Sequence, residues 1–220
     1  MKKFFLFALF IAFSVNAFSQ ESKVGKVKSF LKQFEYTISA GFGTTASSDP
    51  YDLAIININA GVDVKKNILS FSDNKGRLYG LVGLHFTQRG GEMSNNLADM
   101  MSSGNSFREV QFNIPIHVGY KYVFKNDIRV FVDLGPYIGV NGNCSLSEGY
   151  GNNDYELKSK PLDFGIGGNI GVCFKKFGLG IGIDKGFLDI AELSSEEKGI
   201  SKNLKSAVSY IRLQWTFGKQ

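Results

Sequence analysis

The stretch from Val110 to Asn141 constrains the fold more than any other part of the chain. In VQFNIPIHVGYKYVF, Val110, Phe112, Ile114, Ile116, Val118, Tyr120 and Tyr122 alternate with Gln111, Asn113, Pro115, His117, Gly119 and Lys121. In IRVFVDLGPYIGVN, Ile128, Val130, Val132, Leu134, Pro136, Ile138 and Val140 alternate with Arg129, Phe131, Asp133, Gly135, Tyr137, Gly139 and Asn141. A period of two means β-strand. The polar Lys125-Asn126-Asp127 between the halves is a turn, so the stretch is a hairpin. Each arm is about 14 residues long, against about 5–6 for strands of soluble sheets. One wholly apolar face and one polar, glycine-containing face at that length point to a membrane-spanning barrel.

The rest of the chain fits export to such a membrane. Met1-Lys2-Lys3, an apolar run from Phe4 to Val15 and the small-x-small site Ala17-Phe18-Ser19 predict a signal peptide over residues 1–19, cleaved after Ser19. That run is too short for a membrane helix, which takes about 20 residues. Residues 20–33 are polar and Lys-rich and read as a periplasmic lead-in. The net charge is +5, with the basic residues dispersed, so neither a patch nor a motif speaks for nucleic acid. The two cysteines, Cys144 and Cys173, fall at opposite ends of the strand pattern. About twelve strand residues at about 3.3 Å each separate those levels, so no disulfide between them is expected.

Residues 34–220 read as eight strands. They are Phe34–Thr44, Tyr51–Val64, Arg77–Arg89, the two arms of the hairpin, Pro161–Phe174, Phe177–Ile190 and Lys205–Phe217. Three long polar connections, 90–106, 142–160 and 191–204, alternate with short turns such as Lys175-Lys176. Long loops at one end and tight turns at the other are the pattern of an outer-membrane barrel. The segment Lys65 to Gly76 fits less well, being long for a periplasmic turn. The fold class expected is all-β, an eight-stranded antiparallel up-and-down transmembrane β-barrel.

Volume decides which face is outside. Eight strands enclose just enough room for side chains. The apolar face carries too many Phe, Ile, Leu and Tyr residues for that interior, so it must face lipid. The other face is glycine-rich and carries Glu35, Asp63, His85, Arg89, His117, Lys121, Arg129, Asp133, Asp163, Asp184 and Arg212. Their nearly balanced signs fit pairing inside a narrow polar lumen. Phe34, Tyr36, Tyr122, Phe124, Phe174, Phe177, Trp215 and Phe217 gather at the turn end as an aromatic girdle; Tyr51, Phe86, Phe107 and Phe187 form a looser one opposite.

The segments IPIHVGYKYVF, RVFVDLGPYIGV, DFGIGGNIGV and IGIDKGFLDIA resemble the PorT-like outer-membrane β-barrel family of the Bacteroidetes lineage. Ile114-Pro115, Gly135-Pro136-Tyr137, Asp163-Phe164-Gly165 and Gly186-Phe187-Leu188-Asp189-Ile190 carry the resemblance, which covers Val110 to the C-terminus. Asp184-Lys185 departs from the aromatic the family often has there. The resemblance implies an eight-stranded outer-membrane barrel. One branch of that family works in secretion and gliding machinery.

The chemistry in the sequence is sparse. His85 and His117 both face inward, whereas a lipid-modifying barrel enzyme sets its histidine, serine and acid on the lipid face. Asp184 and Asp189 approach the rim without a histidine beside them. No nucleophile–base arrangement, metal-ligand spacing or cofactor motif is present, and the glycine runs at Gly165-Gly167-Gly168 and Gly178-Gly180-Gly182 are expected to make lumen space instead of phosphate loops. The expectation is a non-enzymatic scaffold or surface-binding protein without cofactors. Its expected partners are outer-membrane lipid, the barrel-assembly machinery during biogenesis, and a protein bound through loops 90–106, 142–160 and 191–204. The alternatives are a component of a secretion or gliding complex and a lipid-modifying enzyme.

Overall fold

A computed structural model describes residues 33–47, 52–71, 75–93, 105–142, 145–147, 156–189, 191–195 and 200–218. Twelve strands are present: β1 (Glu35–Ser47), β2 (Asp52–Phe71), β3 (Gly76–Met93), β4 (Asn105–Val123), β5 (Ile128–Asn141), β6 (Ser145–Ser147), β7 (Glu156–Ser159), β8 (Leu162–Phe174), β9 (Phe177–Gly186), β10 (Ala191–Ser195), β11 (Ile200–Leu204) and β12 (Ser206–Gly218). Eight of them form one antiparallel sheet in the order β3-β2-β1-β12-β9-β8-β5-β4, and the β3–β4 pairing closes it into a barrel. The first and last barrel strands pair along their length, from Glu35↔Gly218 to Ser47↔Ser206. Closure leaves no open edge in the barrel wall, as hydrocarbon demands.

The barrel is inside-out. Only seven apolar or aromatic residues are buried among the described residues, against thirty-seven large ones exposed. The burial of β5 alternates exposed and buried almost without exception, as its sequence predicts. All eight expected girdle residues lie on the outward face; Tyr36 stacks on Phe217 at 5.5 Å, and Tyr122 meets Phe124 edge-on at 4.7 Å. At the other rim Phe86 contacts Phe112, and Phe164 contacts Phe187. Tyr51 lies outside the described residues.

Several boundaries differ from the sequence reading. The strand expected to end at Val64 runs to Phe71, which pairs with Gly76, so the connection expected over Lys65 to Gly76 narrows to the four residues between them. Two effects hide this. Lys65 turns into the lumen, and a β-bulge between Asn67 and Leu69 puts Ile68 and Leu69 on the same exposed side, which breaks the alternation. The longer strand removes the objection to a long periplasmic link. The loop expected over 90–106 is shortened from both ends, because β3 extends to Met93 and β4 begins at Asn105. The strand expected to reach Ile190 stops at Gly186. The 142–160 and 191–204 segments contain strands of their own: β6 pairs with the start of β4, and β7, β10 and β11 form a separate sheet in the order β11-β10-β7.

The periplasmic turns are tight. Lys125–Asp127 is a single 3-10 turn in which Asn126 (φ 66) and Asp127 (φ 60) take the left-handed conformation that Asn and Asp tolerate best. Neighbouring turns are tied together: the Lys175 amide donates to the Asp127 carbonyl at 3.1 Å, and Arg129 donates to the Lys175 carbonyl. Residues 1–32, which hold the expected signal peptide and most of the lead-in, lie outside the described residues, as does Cys144. Cys173 is a buried free thiol whose ladder partner is Arg129, at the turn end of the lumen.

Candidate functional site

The lumen is the largest assembly of polar chemistry in the molecule. All eleven inward polar residues named from the sequence are buried, each no more than 6% exposed. Lys65 and Glu109 join them; alternation alone would have found both, but each sits where a loop and not a strand was expected next to it.

At the turn end, Lys121 donates to Glu35 at 2.5 Å. Lys65 has aromatic neighbours, its ammonium lying 5.6 Å from the Tyr79 ring centre and 5.2 Å from that of Phe131. A desolvated cation over a ring face keeps part of the stabilisation it had in water. Here Glu35, Lys65, Tyr79, Lys121, Arg129, Phe131, Cys173 and Thr216 leave a void of about 10 Å³, room for about one water molecule.

In the middle, the two histidines each meet an aspartate. His85 Nε2 lies 2.7 Å from Asp63, and His117 Nδ1 lies 2.9 Å from Asp133. Asp133 also accepts from Tyr79 at 3.0 Å and from Asn169 at 2.9 Å. Tyr210 donates to Asn169 and Asp184, while Arg212 donates to Asn59 at 2.8 Å and stacks 3.7 Å over the Tyr210 ring. At the loop end, Asp163 is the hub. It accepts from Arg89 at 3.0 Å, from Tyr137 at 2.9 Å and from Gln111 at 3.0 Å. The histidine–aspartate pairs join neighbouring strands, but Arg89 and Asp163 lie 74 residues apart and Arg212 and Asn59 lie 153 apart, so the sequence placed these groups inside without revealing their partners.

The rings fit because glycines face them. Tyr79, His85, Phe131, Tyr137 and Tyr210 pair directly across the ladder with Gly119, Gly61, Gly171, Gly165 and Gly182. A Cβ on Gly119 would come within 2.3 Å of the Tyr79 ring, and one on Gly171 within 2.6 Å of Phe131. The glycine-rich face of the sequence is therefore a set of sockets for inward rings, and together they fill the lumen.

Among the described residues, no group of three or more His, Cys, Asp or Glu side chains gathers as a metal site. Above the lumen, β7 from one loop and the β10–β11 hairpin from another build a sheet outside the barrel wall. Lys160 and Asp189 form a half-buried ion pair at 3.3 Å at its base, and Ser159 bonds Glu109 in the lumen mouth at 3.4 Å.

No curated protein matches the sequence. Among solved structures, the outer membrane protein OprG from Pseudomonas aeruginosa is 14% identical with a TM-score of 0.46, covering 84% of this chain and 96% of that one. The outer membrane enzyme PagL is 15% identical with a TM-score of 0.47, covering 83% and 99%. The attachment invasion locus protein Ail of Yersinia pestis is 14% identical with a TM-score of 0.42, covering 84% and 99%. The family described as outer membrane protein beta-barrel domain matches over residues 18–192, most of the chain. With the closed, inside-out barrel, that match makes this chain a member of the outer membrane protein beta-barrel domain family and a protein of the outer membrane.

Proposed function

We propose that this protein is a non-enzymatic outer-membrane scaffold that binds a protein partner at the cell surface, through structure carried on its long loops. The observation that carries this is the β11-β10-β7 sheet, which joins two loops that are separate in the chain. Loops tied into a sheet on a rigid barrel form a preorganised binding surface. The filled lumen supports a scaffold over a pore. The placement of both histidines in lumen aspartate pairs supports a non-enzymatic reading over a lipid-modifying enzyme.

The resemblance from Val110 onward supports the PorT-like branch of small barrels, with a Bacteroidetes-type source. A second reading, a component of a secretion or gliding-type envelope complex, is favoured by the same sheet. Among the described residues its outer strands β7 and β11 each pair on one side only, the side toward β10, which suits addition of a partner strand.

Photo-crosslinking from Glu192 and Lys158 in intact cells tests the surface. The expected result is a discrete crosslinked protein that disappears when residues 190–204 are replaced by a short Gly-Ser turn, while heat-modifiable migration shows the barrel still folded. Crosslinks that survive the replacement would sink the loop-sheet reading. Lipid profiles of His85→Ala and His117→Ala cells are expected to match the parent; a changed lipid A would instead favour the enzyme.

A further inference from the structure

The lipid-facing surface has a recess at Gly80. The outward row of β3 runs Leu78, Gly80, Val82, and Gly80 has no side chain to fill its place. Its ladder partners are Lys66 on β2 and Val118 on β4, while the row above it, Val64–Val82–Ile116, is complete. A Cβ on Gly80 would meet only Ile68 Cδ1, at 3.5 Å. Two other glycines in outward register leave no such space: a Cβ on Gly168 would meet Leu134 at 3.1 Å and the Asp133 carbonyl at 3.2 Å, and one on Gly76 would meet the Tyr120 hydroxyl at 2.4 Å. Two features deepen the recess at Gly80. β2 runs past Lys65, the partner of the first residue of β1, and the bulge sets Ile68 outward as a wall. The groove measures about 520 Å³ and is lined by Phe34, Val64, Lys66, Ile68, Val82 and Val118 among others.

We propose that this groove holds one acyl chain of an anionic glycerophospholipid, with the phosphate on Lys66 at the periplasmic boundary of the membrane. The groove opens on the lipid-facing side, so its occupant comes from the bilayer. Apolar walls alone do not select a lipid there, since lipid tails are as apolar as the walls. Selection comes from the shape left by Gly80 and from the cation. The Lys66 ammonium lies 5.5 Å from the Phe34 ring centre, within the aromatic girdle, and its long stem carries the charge to headgroup level.

Native mass spectrometry of the full chain in mild detergent, titrated with dioleoylphosphatidylglycerol, tests the site. Wild type is expected to retain one lipid more tightly than any further ones. Gly80→Leu fills the groove and loses that lipid, and Val118→Trp does the same from the neighbouring strand. Lys66→Glu weakens binding by about fivefold or more, the contribution of one basic residue at an anionic lipid surface. Lys185→Glu, on the outward face of β9 at the loop end, leaves binding unchanged. Heat-modifiable migration establishes that each variant is folded. Retention of the first lipid by folded Gly80→Leu or Val118→Trp overturns the proposal, as does equal weakening by Lys185→Glu and Lys66→Glu.

Discussion

The two ends of the lumen handle buried charge differently. At the loop end one acid, Asp163, collects three directional donors from Arg89, Tyr137 and Gln111. At the turn end three cations, Lys65, Lys121 and Arg129, share a small space with one acid, Glu35, and the surplus falls on aromatic rings and a carbonyl. Among the described residues five Lys and Arg side chains are buried against six Asp and Glu, so the imbalance is local. A hub depends on each spoke, whereas a shared pool of charge tolerates the loss of one member. The loop end should therefore be brittle and the turn end forgiving.

The sharpest way to break this contrast is Arg89→Met, which strips the charge partner from a fully buried carboxylate. A cost of about 3–5 kcal/mol is expected in guanidinium unfolding of the barrel in micelles. Arg89→Met combined with Asp163→Leu should recover part of it, because the carboxylate that lost its guanidinium is then gone. Lys121→Met at the turn end should cost less, about 1.5–3 kcal/mol, since Lys65 and Arg129 remain beside Glu35. Equal losses for the two single variants would end the distinction between hub and pool. Gly171→Ala drives a methyl into the Leu179 carbonyl and the Phe131 ring and should cost about 1–3 kcal/mol by overpacking, read in the same unfolding assay. The smallest effect is expected from Phe131→Leu, which keeps bulk but removes a ring face from Lys65, at about 0.5–2 kcal/mol.

Much of this architecture is legible in the chain because membrane strands obey one rule at nearly every position. Alternation alone sorts Val130, Val132 and Leu134 to lipid and Arg129, Phe131 and Asp133 to the lumen. The rule fails where two neighbouring residues share a side. The bulge at Ile68 ended the readable pattern at Val64, although the strand continues to Phe71. Pairing is a different kind of information. Lys121 and Glu35 lie 86 residues apart, and which lumen acid a given lysine reaches depends on register and barrel closure. The short strands β6, β7, β10 and β11 escaped notice for the same reason: they are polar, three to five residues long, and each but the β10–β11 pair is matched by a segment distant in sequence. The proposed surface thus lies where sequence signals are weakest, and the scaffold lies where they are strongest.

The seam between β1 and β12 has a kinetic consequence. Thr37 and Thr216 bond across it at 3.3 Å, although 179 positions separate them in the chain. Until the last strand arrives, β1 and β9 each lack a neighbour, and their unpaired amides and carbonyls have no place in hydrocarbon. The ring cannot mature strand by strand inside the bilayer; its final contact is also the one that closes the longest loop. A chain cut short before Ser206 would therefore be left as an open ribbon with two sticky edges, prone to aggregate.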